Sequence, residues 1–203
     1  MADLNLNRNT FGDEKNKGNL LTREVAFALL DDWVKNDRLK LHMFQVGGLM
    51  KAWAISSEQA DETLAWKWEM SGLLHDADWD QWPDQHCKKI IEYLELLNID
   101  PEVLHAIASH GHIHFGVEPK TNMDKMLYAF DELSGLIHAY SLMRPTGYDG
   151  MDSKGVLKRL KEKTFASGVS RDDIHDACAR AEITLEELIR FIIQHQPGIG
   201  LNL

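Results

Sequence analysis

Several features that would quickly assign a class to this chain are scarce or missing. Its 203 residues include only two cysteines, Cys87 and Cys178, and no CxxC pair, so a disulfide framework is not expected at this size. No run approaches the roughly 18 apolar residues of a membrane-spanning helix. The first residues also lack the apolar stretch of a secretory signal. We therefore expect a reduced, cytoplasmic protein without a membrane partner.

Basic charge is scarce as well. The 22 lysines and arginines are outnumbered by 32 acidic residues, which gives a formal net charge of −10. Proteins that bind nucleic acid polymers need basic surface to neutralise phosphates, so we expect no such partner, although a small phosphorylated ligand is compatible. With 44% hydrophobic and 27% charged residues, the chain has the composition of an ordinary globular domain.

Helical periodicity runs through the chain, and no strand-like alternation stands out. We predict an all-α fold with a loose polar arm at 1–20, a core at 21–145 and a C-terminal helical extension at 146–203 that packs on the core. The Gly47-Gly48 pair lies inside a predicted helix, where glycine is costly. It indicates that another backbone packs closely there.

Capping residues and prolines set the expected helix boundaries. Thr22 is the expected N-cap of the first helix, and Ser57 the expected start of the third, which runs to about residue 74. Pro83 and Pro101 stand where proline is favoured, at the first helical position. The other helices are expected at 39–54, 121–143, 153–164, 171–180 and 184–195.

The chain contains ten histidines, and some of them join aspartates in an ordered series on, or at the ends of, separate predicted helices. In chain order these residues are His42, His75, Asp76, His86, His110 and Asp131. Helical bundles build metal sites from inward side chains of facing helices. Imidazole with carboxylate suits divalent transition metals (Fe, Mn, Zn, Ni or Co) better than Ca or Mg alone. The series predicts a site for one or two such ions.

Each of these residues also has a simpler interpretation. A lone histidine on an apolar helix face is usually a hydrogen-bonded core residue, and a lone aspartate is usually an N-cap or on the surface. Two contexts favour the metal site. His75 and Asp76 end an apolar run, and Asp131 stands among apolar residues at core spacing, where an unpaired carboxylate would be costly to bury.

The ordered pattern H…HD…D resembles the HD-domain superfamily of metal-dependent phosphohydrolases. It is carried here by His42 in LKLHMFQV, by His75 and Asp76 in LLHDAD, and by Asp131 in AFDELSGLI. The resemblance covers residues 38–145. It implies a compact helical bundle in which these four residues bind one metal and Asp76 bridges to a second.

Other segments resemble narrower groups within that superfamily. His86 in PDQHCKKIIEYLELL and His110 in VLHAIASHG are similar to positions in small bacterial HD proteins that hydrolyse diadenosine tetraphosphate at a di-iron site. This similarity implies that both complete the second metal site. The segments LIHAYSLMRP and KGVLKRLKEKTFASGVSRDDI resemble uncharacterised predicted HD hydrolases. The lysine of HD-x-G-K members is replaced by Asp78 and Asp80, and no GYP motif occurs.

The resemblance implies hydrolysis of a phosphoester or phosphoanhydride bond in a small nucleotide or phosphorylated metabolite by metal-activated water. We expect Asp76 and His110 to act in catalysis. Arg144 and Lys154, which border the break after the predicted helix that carries Asp131, are expected to contact substrate phosphate. A solvated helix face is the alternative for the basic segment 154–163.

Several neighbouring residues are candidates for supporting roles. Asp78, Asp80 and Glu132 could hydrogen-bond the second ring nitrogen of a ligand histidine. His112 and His114 are candidates for a further ligand or a general acid, with a place on the cavity rim as the alternative.

Two other functions stay open on the sequence. Di-iron centres on the same fold can activate oxygen, as in inositol-oxygenase-like relatives, so an oxygenase is one alternative. A non-catalytic metal- or ligand-binding HD protein is the other. The sequence does not fix the oligomeric state, and a homodimer is compatible with it.

Overall fold

The computed structural model describes residues 18–200, so most of the predicted arm, 1–17, and the last three residues lie outside it. Within this range the chain is helical and has no strand, which confirms the predicted all-α class. The helices are α1 (Arg23–Trp33), α2 (Asp37–Ser57), α3 (Glu62–Leu74), α4 (Lys88–Leu96), α5 (Pro101–Ser109), α6 (His112–Phe115), α7 (Asn122–Met143), α8 (Ser153–Lys161), α9 (Arg171–Ala181) and α10 (Leu185–His195), with a 3-10 turn at Pro83–Gln85.

Caps explain where several helices begin. The Thr22 hydroxyl accepts a hydrogen bond from the Val25 N–H and starts α1 as predicted. Asp100 caps α5 by accepting from the Glu102 N–H, and Pro101 is its first residue. Both capping side chains satisfy N–H groups that have no partner inside the helix.

Two predicted boundaries are wrong. Ser57 ends α2 instead of starting α3, because Gln59 takes a left-handed conformation with φ 53°. Asp61 then caps α3 by accepting from the Leu64 N–H at 2.8 Å. Pro83 starts only the 3-10 turn, and α4 begins five residues later.

Residues 18–20, the part of the predicted arm that the structure describes, are hydrogen-bonded to the body of the protein. The Asn19 N–H donates to the Asn98 carbonyl at 2.8 Å, and the Asp100 N–H donates to the Asn19 carbonyl at 2.9 Å. A Cβ on Gly18 would lie 2.5 Å from the Ile99 carbonyl carbon, so this close pairing requires glycine. Residues 18–20 are therefore bonded to the segment before α5.

Helices α2 and α3 cross at two glycines. A Cβ on Gly72 would lie 2.8 Å from the Gly47 nitrogen, and one on Gly47 would lie 3.0 Å from the Glu69 carbonyl oxygen. The prediction that a backbone packs against Gly47 is confirmed. The loop between the two helices is short, which favours antiparallel neighbours. The start of α2 and the end of α3 therefore lie together, and the rings of His42 and His75 are 5.2 Å apart.

Two groups of buried apolar side chains form the interior. The first joins α1, α3, α4 and α5 around Leu30, Leu74 and Ile91. The second joins α2 and α7 to the three C-terminal helices around Phe130 and Ile189. The C-terminal helices therefore share a core with the helices that carry His42 and Asp131. Within residues 18–200, no helix has the length and apolar character needed to cross a bilayer.

The glycine crossing makes a testable prediction. Gly72→Ala would push a methyl group into the α2 backbone, and we expect it to lower the free energy of unfolding by about 1–3 kcal/mol, the usual cost of overpacking. Gly135→Ala is the matched control, because no atom lies within 4 Å of its added Cβ. We expect that helix substitution to raise stability by about 0.5–1 kcal/mol. Urea denaturation measures both, and equal effects would contradict the close crossing.

Candidate metal centre

The fold brings all six predicted His and Asp residues together. His42, His75, Asp76 and Asp131 form one group whose ligand atoms lie within 4.8 Å of one another. A second group with the same spacing consists of Asp76, His86 and His110. Each group could hold a metal ion, and Asp76 belongs to both.

Asp76 lies between the two groups with its oxygens turned to different sides. Its Oδ2 is 3.4 Å from the His75 Nε2, whereas its Oδ1 is 3.3 Å from the His86 Nε2 and 3.6 Å from the His110 Nε2. One carboxylate thus faces both sets of imidazoles, as a bridging ligand would.

Asp131 completes the first group from the opposite side. Its Oδ1 is 3.0 Å from the His42 Nε2 and 3.4 Å from the His75 Nε2. Because α7 carries Asp131 and α2 carries His42, the packing of these two long helices sets the distance. The four donors therefore come from α2, from α7 and from the end of α3.

Helix ends aim the remaining ligands. His75 is the C-cap of α3, and the chain turns immediately after it, so the adjacent Asp76 can face the same centre. His110 is the C-cap of α5 in the same way. His86 follows the 3-10 turn and precedes α4. Helix ends let the backbone direct side chains that would diverge inside a regular helix.

The Nδ1 atoms of His75, His86 and His110, which face away from the centre, each have a hydrogen-bond partner. The Nδ1–H of His75 donates to the Gly72 carbonyl at 2.7 Å, and that of His110 donates to the Ile107 carbonyl at 2.6 Å. Carbonyl oxygens only accept, so each Nδ1 carries a proton, and Nε2 is the nitrogen whose lone pair a bound ion would use. The Nδ1 bonds thus fix which nitrogen of each ring faces the centre.

Asp78 binds the Nδ1 of His86 in the same way. It is fully buried, and its Oδ1 lies 2.7 Å from the His86 Nδ1. Its other oxygen accepts from the Ile90 N–H at 2.9 Å, which fixes the carboxylate. The other two predicted candidates are bonded elsewhere. Asp80 accepts from the backbone at Lys35 and Asn36, and Glu132 accepts from the backbone at Ser170.

A buried polar atom indicates that an ion fits this site. The His75 side chain is fully buried, and its Nε2 has no hydrogen-bond partner among the described residues. Leaving a buried polar atom unsatisfied costs about 1–3 kcal/mol. A divalent ion among His42, His75, Asp76 and Asp131 would satisfy this atom with ligands of the type transition metals prefer.

The electrostatics of the centre also suit a cation. Burial opposes charge on Asp76 and Asp131, yet the neighbouring imidazoles hold the pKa of both carboxyl groups below its usual range. Burial likewise opposes charge on His75, but Asp76 and Asp131 raise its pKa well above the usual histidine range. The two carboxylates therefore stay anionic at neutral pH, as metal ligands must.

A cavity of about 610 Å³ opens onto the centre. Five of the six predicted ligands line it, and His75 lies behind them. The other lining residues are Trp79, Pro83, Asp84, Gly111, His114, Phe115, Tyr128, Glu132, Gly135, Val169 and Asp173. Among these described residues there is no lysine or arginine. Burial, then the negative charge of Asp131, raises the pKa of Glu132 to about 8.

The predicted phosphate contacts do not lie at this cavity. The Arg144 guanidinium donates to the carbonyls of Gly147 and Asp149 at 2.8 and 2.9 Å, so it holds the turn after α7. Lys154 is on α8 and is not among the lining residues. A direct role for Arg144 or Lys154 in binding substrate stays a prediction to which the geometry gives no support.

The predicted loop at SHGHIHFG contains the short helix α6. Within it His114 lines the cavity, while the Nε2 of His112 lies 3.2 Å from Asp176 on α9. His112 therefore fastens α6 to α9 instead of facing the centre. Trp79 lines the cavity, whereas Trp82 packs edge-on against Trp33 at 4.8 Å.

Sequence reasoning missed several cavity residues. Tyr128 and Gly135 share a face of α7 with Asp131, and helical spacing of three and four residues from that aspartate could have identified them. The ring of Phe115 lies 5.2 Å from that of His86. Val169 lies in the segment before α9 and Asp173 on α9, and no sequence pattern indicated that they reach the centre.

Comparison with known proteins adds no relative. No protein-family model matches the chain, and no curated protein or solved structure matches it significantly. Membership of the HD superfamily therefore stays a prediction carried by the sequence motif.

The Asp78–His86 bond leads to a prediction about metal affinity. Asp78→Ala removes the carboxylate that orients His86, and we expect it to weaken one of two bound ions by about 10- to 100-fold while the other is retained. Asp80→Ala is the control, because within residues 18–200 this aspartate bonds to the backbone before α2 and not to a histidine of the centre. Metal titration followed by elemental analysis measures the change. Equal affinities in the two variants would contradict the orienting role.

Proposed function

We propose that this protein is a metal-dependent hydrolase of phosphoester or phosphoanhydride bonds in a small nucleotide or phosphorylated metabolite. The observation that carries the proposal is the position of Asp76, one oxygen of which faces His75 while the other faces His86 and His110. Hydrolysis at two neighbouring ions requires a ligand that holds them side by side. Asp76 is placed to do this.

The six residues would form two adjacent metal-binding positions. His42, His75, Asp76 and Asp131 would hold one ion, and Asp76, His86 and His110 would hold the other. Divalent ions held in this way supply an activated water and positive charge for the phosphoryl oxygens. The protein's part is to fix the ligands, through the Nδ1 bonds of the histidines, and to shape a cavity around the substrate.

The cavity walls indicate what the substrate would meet. Trp79, Phe115 and Tyr128 supply aromatic surface on the sides, which suits a base or another flat apolar group. No described lining residue is a lysine or arginine, so the metal ions themselves would hold the scissile phosphoryl group. His114 lies within the same walls and could exchange a proton with the leaving group.

A di-iron oxygenase is the second candidate, and the lack of lysine and arginine in the described lining favours it. A substrate of low negative charge could enter such a cavity without a basic wall. Four imidazoles with two carboxylates also suit iron. Oxygen consumption without phosphate release would distinguish this function.

The test combines metal counting with an activity screen. We expect two transition-metal ions per chain in protein purified at low oxygen without chelator, and metal-dependent phosphate release from at least one phosphorylated metabolite. His75→Ala/Asp76→Ala should lose the metal and the activity, because it removes the shared ligand. Elemental analysis, a phosphate-release assay and oxygen uptake are measured side by side.

His195→Ala/Asp149→Ala is the matched control, since it removes the same side-chain types outside the cavity. It should retain metal and activity. Failure of the parent to bind Mn, Fe, Co, Ni or Zn would overturn the proposal. Phosphate release that persists in the His75→Ala/Asp76→Ala variant would overturn it equally.

A further inference from the structure

The described lysines of α8 and the turn after it have no acidic partner. Lys154, Lys158, Lys161 and Lys163 form no ion pair with any residue in the range 18–200. Elsewhere, lysines such as Lys67 and Lys40 pair with carboxylates. These four lysines lie within ten residues of one another in a chain with a net charge of −10. Such a group repels itself unless an anion compensates it.

Two of these lysines line a second cavity of about 590 Å³. Lys161 and Lys163 contribute to its walls together with Arg171, against one carboxylate, Asp172. The remaining lining residues are Leu157, Leu160, Ser167, Val169, Ser170, His175 and Leu185. The cavity thus combines an excess of positive charge with two hydroxyl groups, in contrast to the metal cavity.

The two cavities are neighbours. Val169 lines both of them and so forms a shared wall, with Ser170 next to it on the side of the basic cavity. Two bonds hold this wall: the Ser170 N–H donates to Glu132 of the metal cavity at 3.2 Å, and Arg171 donates to the Val169 carbonyl at 2.7 Å. A ligand lying at the metal centre could extend over this wall into the basic cavity.

Arg171 is occupied with the backbone. Its guanidinium donates to the Ala166 and Val169 carbonyls at 2.7 Å, and also to those of Phe165, Glu162 and Leu160. It therefore fixes the turn that follows α8. Lys161 and Lys163, on either side of Glu162, keep their ammonium groups for a ligand.

We propose that Lys161 and Lys163 bind a second anionic group of the substrate, a phosphate or a carboxylate, while the scissile phosphoryl group lies at the metal centre. This inference rests on the proposed hydrolase function and narrows it to metabolites with two anionic groups. Metal ions would compensate the charge of the scissile phosphoryl group, and the two lysines would compensate the charge of the second anionic group. The basic cavity supplies cations that the described lining of the metal cavity lacks.

The experiment measures binding of inorganic pyrophosphate by calorimetry at low ionic strength, using the full chain with its metal. Lys161→Ala/Lys163→Ala should weaken pyrophosphate binding by about tenfold without changing the metal content. Lys161→Glu/Lys163→Glu should weaken it further. Lys120→Ala/Lys125→Ala, which removes the same charge from lysines lining neither cavity, should bind as the parent does. Thermal unfolding checks that each variant is folded.

A second arm separates this inference from the proposed function. In the His75→Ala/Asp76→Ala background, pyrophosphate binding should still depend on Lys161 and Lys163. Binding that falls equally in the Lys120→Ala/Lys125→Ala control, or does not fall at all, overturns the inference even if metal-dependent phosphate release is found. Lysine-dependent binding without any phosphoester cleavage would leave an anion site and overturn its assignment to a hydrolase substrate.

Any substrate found by phosphate release gives a third readout. Lys161→Ala/Lys163→Ala should raise the KM of substrates with two anionic groups by about tenfold and leave kcat near the parent value. Substrates with a single phosphate should keep their KM. An equal rise in KM for both classes would indicate general charge attraction and contradict a specific second contact.

Discussion

Two carboxylates, Asp76 and Asp131, are placed among four imidazoles inside the protein, and much of the structure depends on compensating them. Burying a carboxylate is costly unless opposite charge or hydrogen bonds accompany it. Here the imidazole Nε2 atoms lie beside the carboxylates, and the Nδ1 atoms of His75, His86 and His110 are bound to backbone carbonyls or to Asp78. The centre is therefore a set of donors whose orientation is fixed from behind, as a preorganised metal site requires.

The helix packing follows from the same requirement. Donors on α2, α7 and three chain segments between helices can meet only if the helices that carry them approach closely. Gly47 and Gly72 permit this, because side chains at their crossing would separate the start of α2 from the end of α3. A Cβ at Gly72 would push α2 away from α3 and so move His42 away from His75. The stability of this crossing and the distance between His42 and His75 thus depend on the same two glycines.

The sequence predicted what local chemistry determines. The ordered histidines and aspartates, the caps Thr22 and Asp100 and the close approach at Gly47 all have short-range signatures. The misplaced start of α3 depends on a left-handed residue, Gln59, which propensity does not indicate. Arg144 could not be assigned because whether a guanidinium binds a ligand or its own backbone depends on tertiary geometry. The pairing of Asn19 beside Ile99 is likewise a long-range contact.

The C-terminal helices are part of the site as well as of the core. Val169 and Asp173 line the metal cavity, and Glu132 joins α7 to the segment before α9 through the Ser170 N–H. The motif residues between 38 and 145 can therefore hold metal, and part of the cavity wall comes from Val169 and Asp173. Metal ligands define a reaction class, whereas walls select the substrate. Under the proposed function, Val169 and Asp173 would therefore help to select the substrate, together with the aromatic walls that come from the motif region. The lysines of the neighbouring basic cavity lie in the same C-terminal part of the chain.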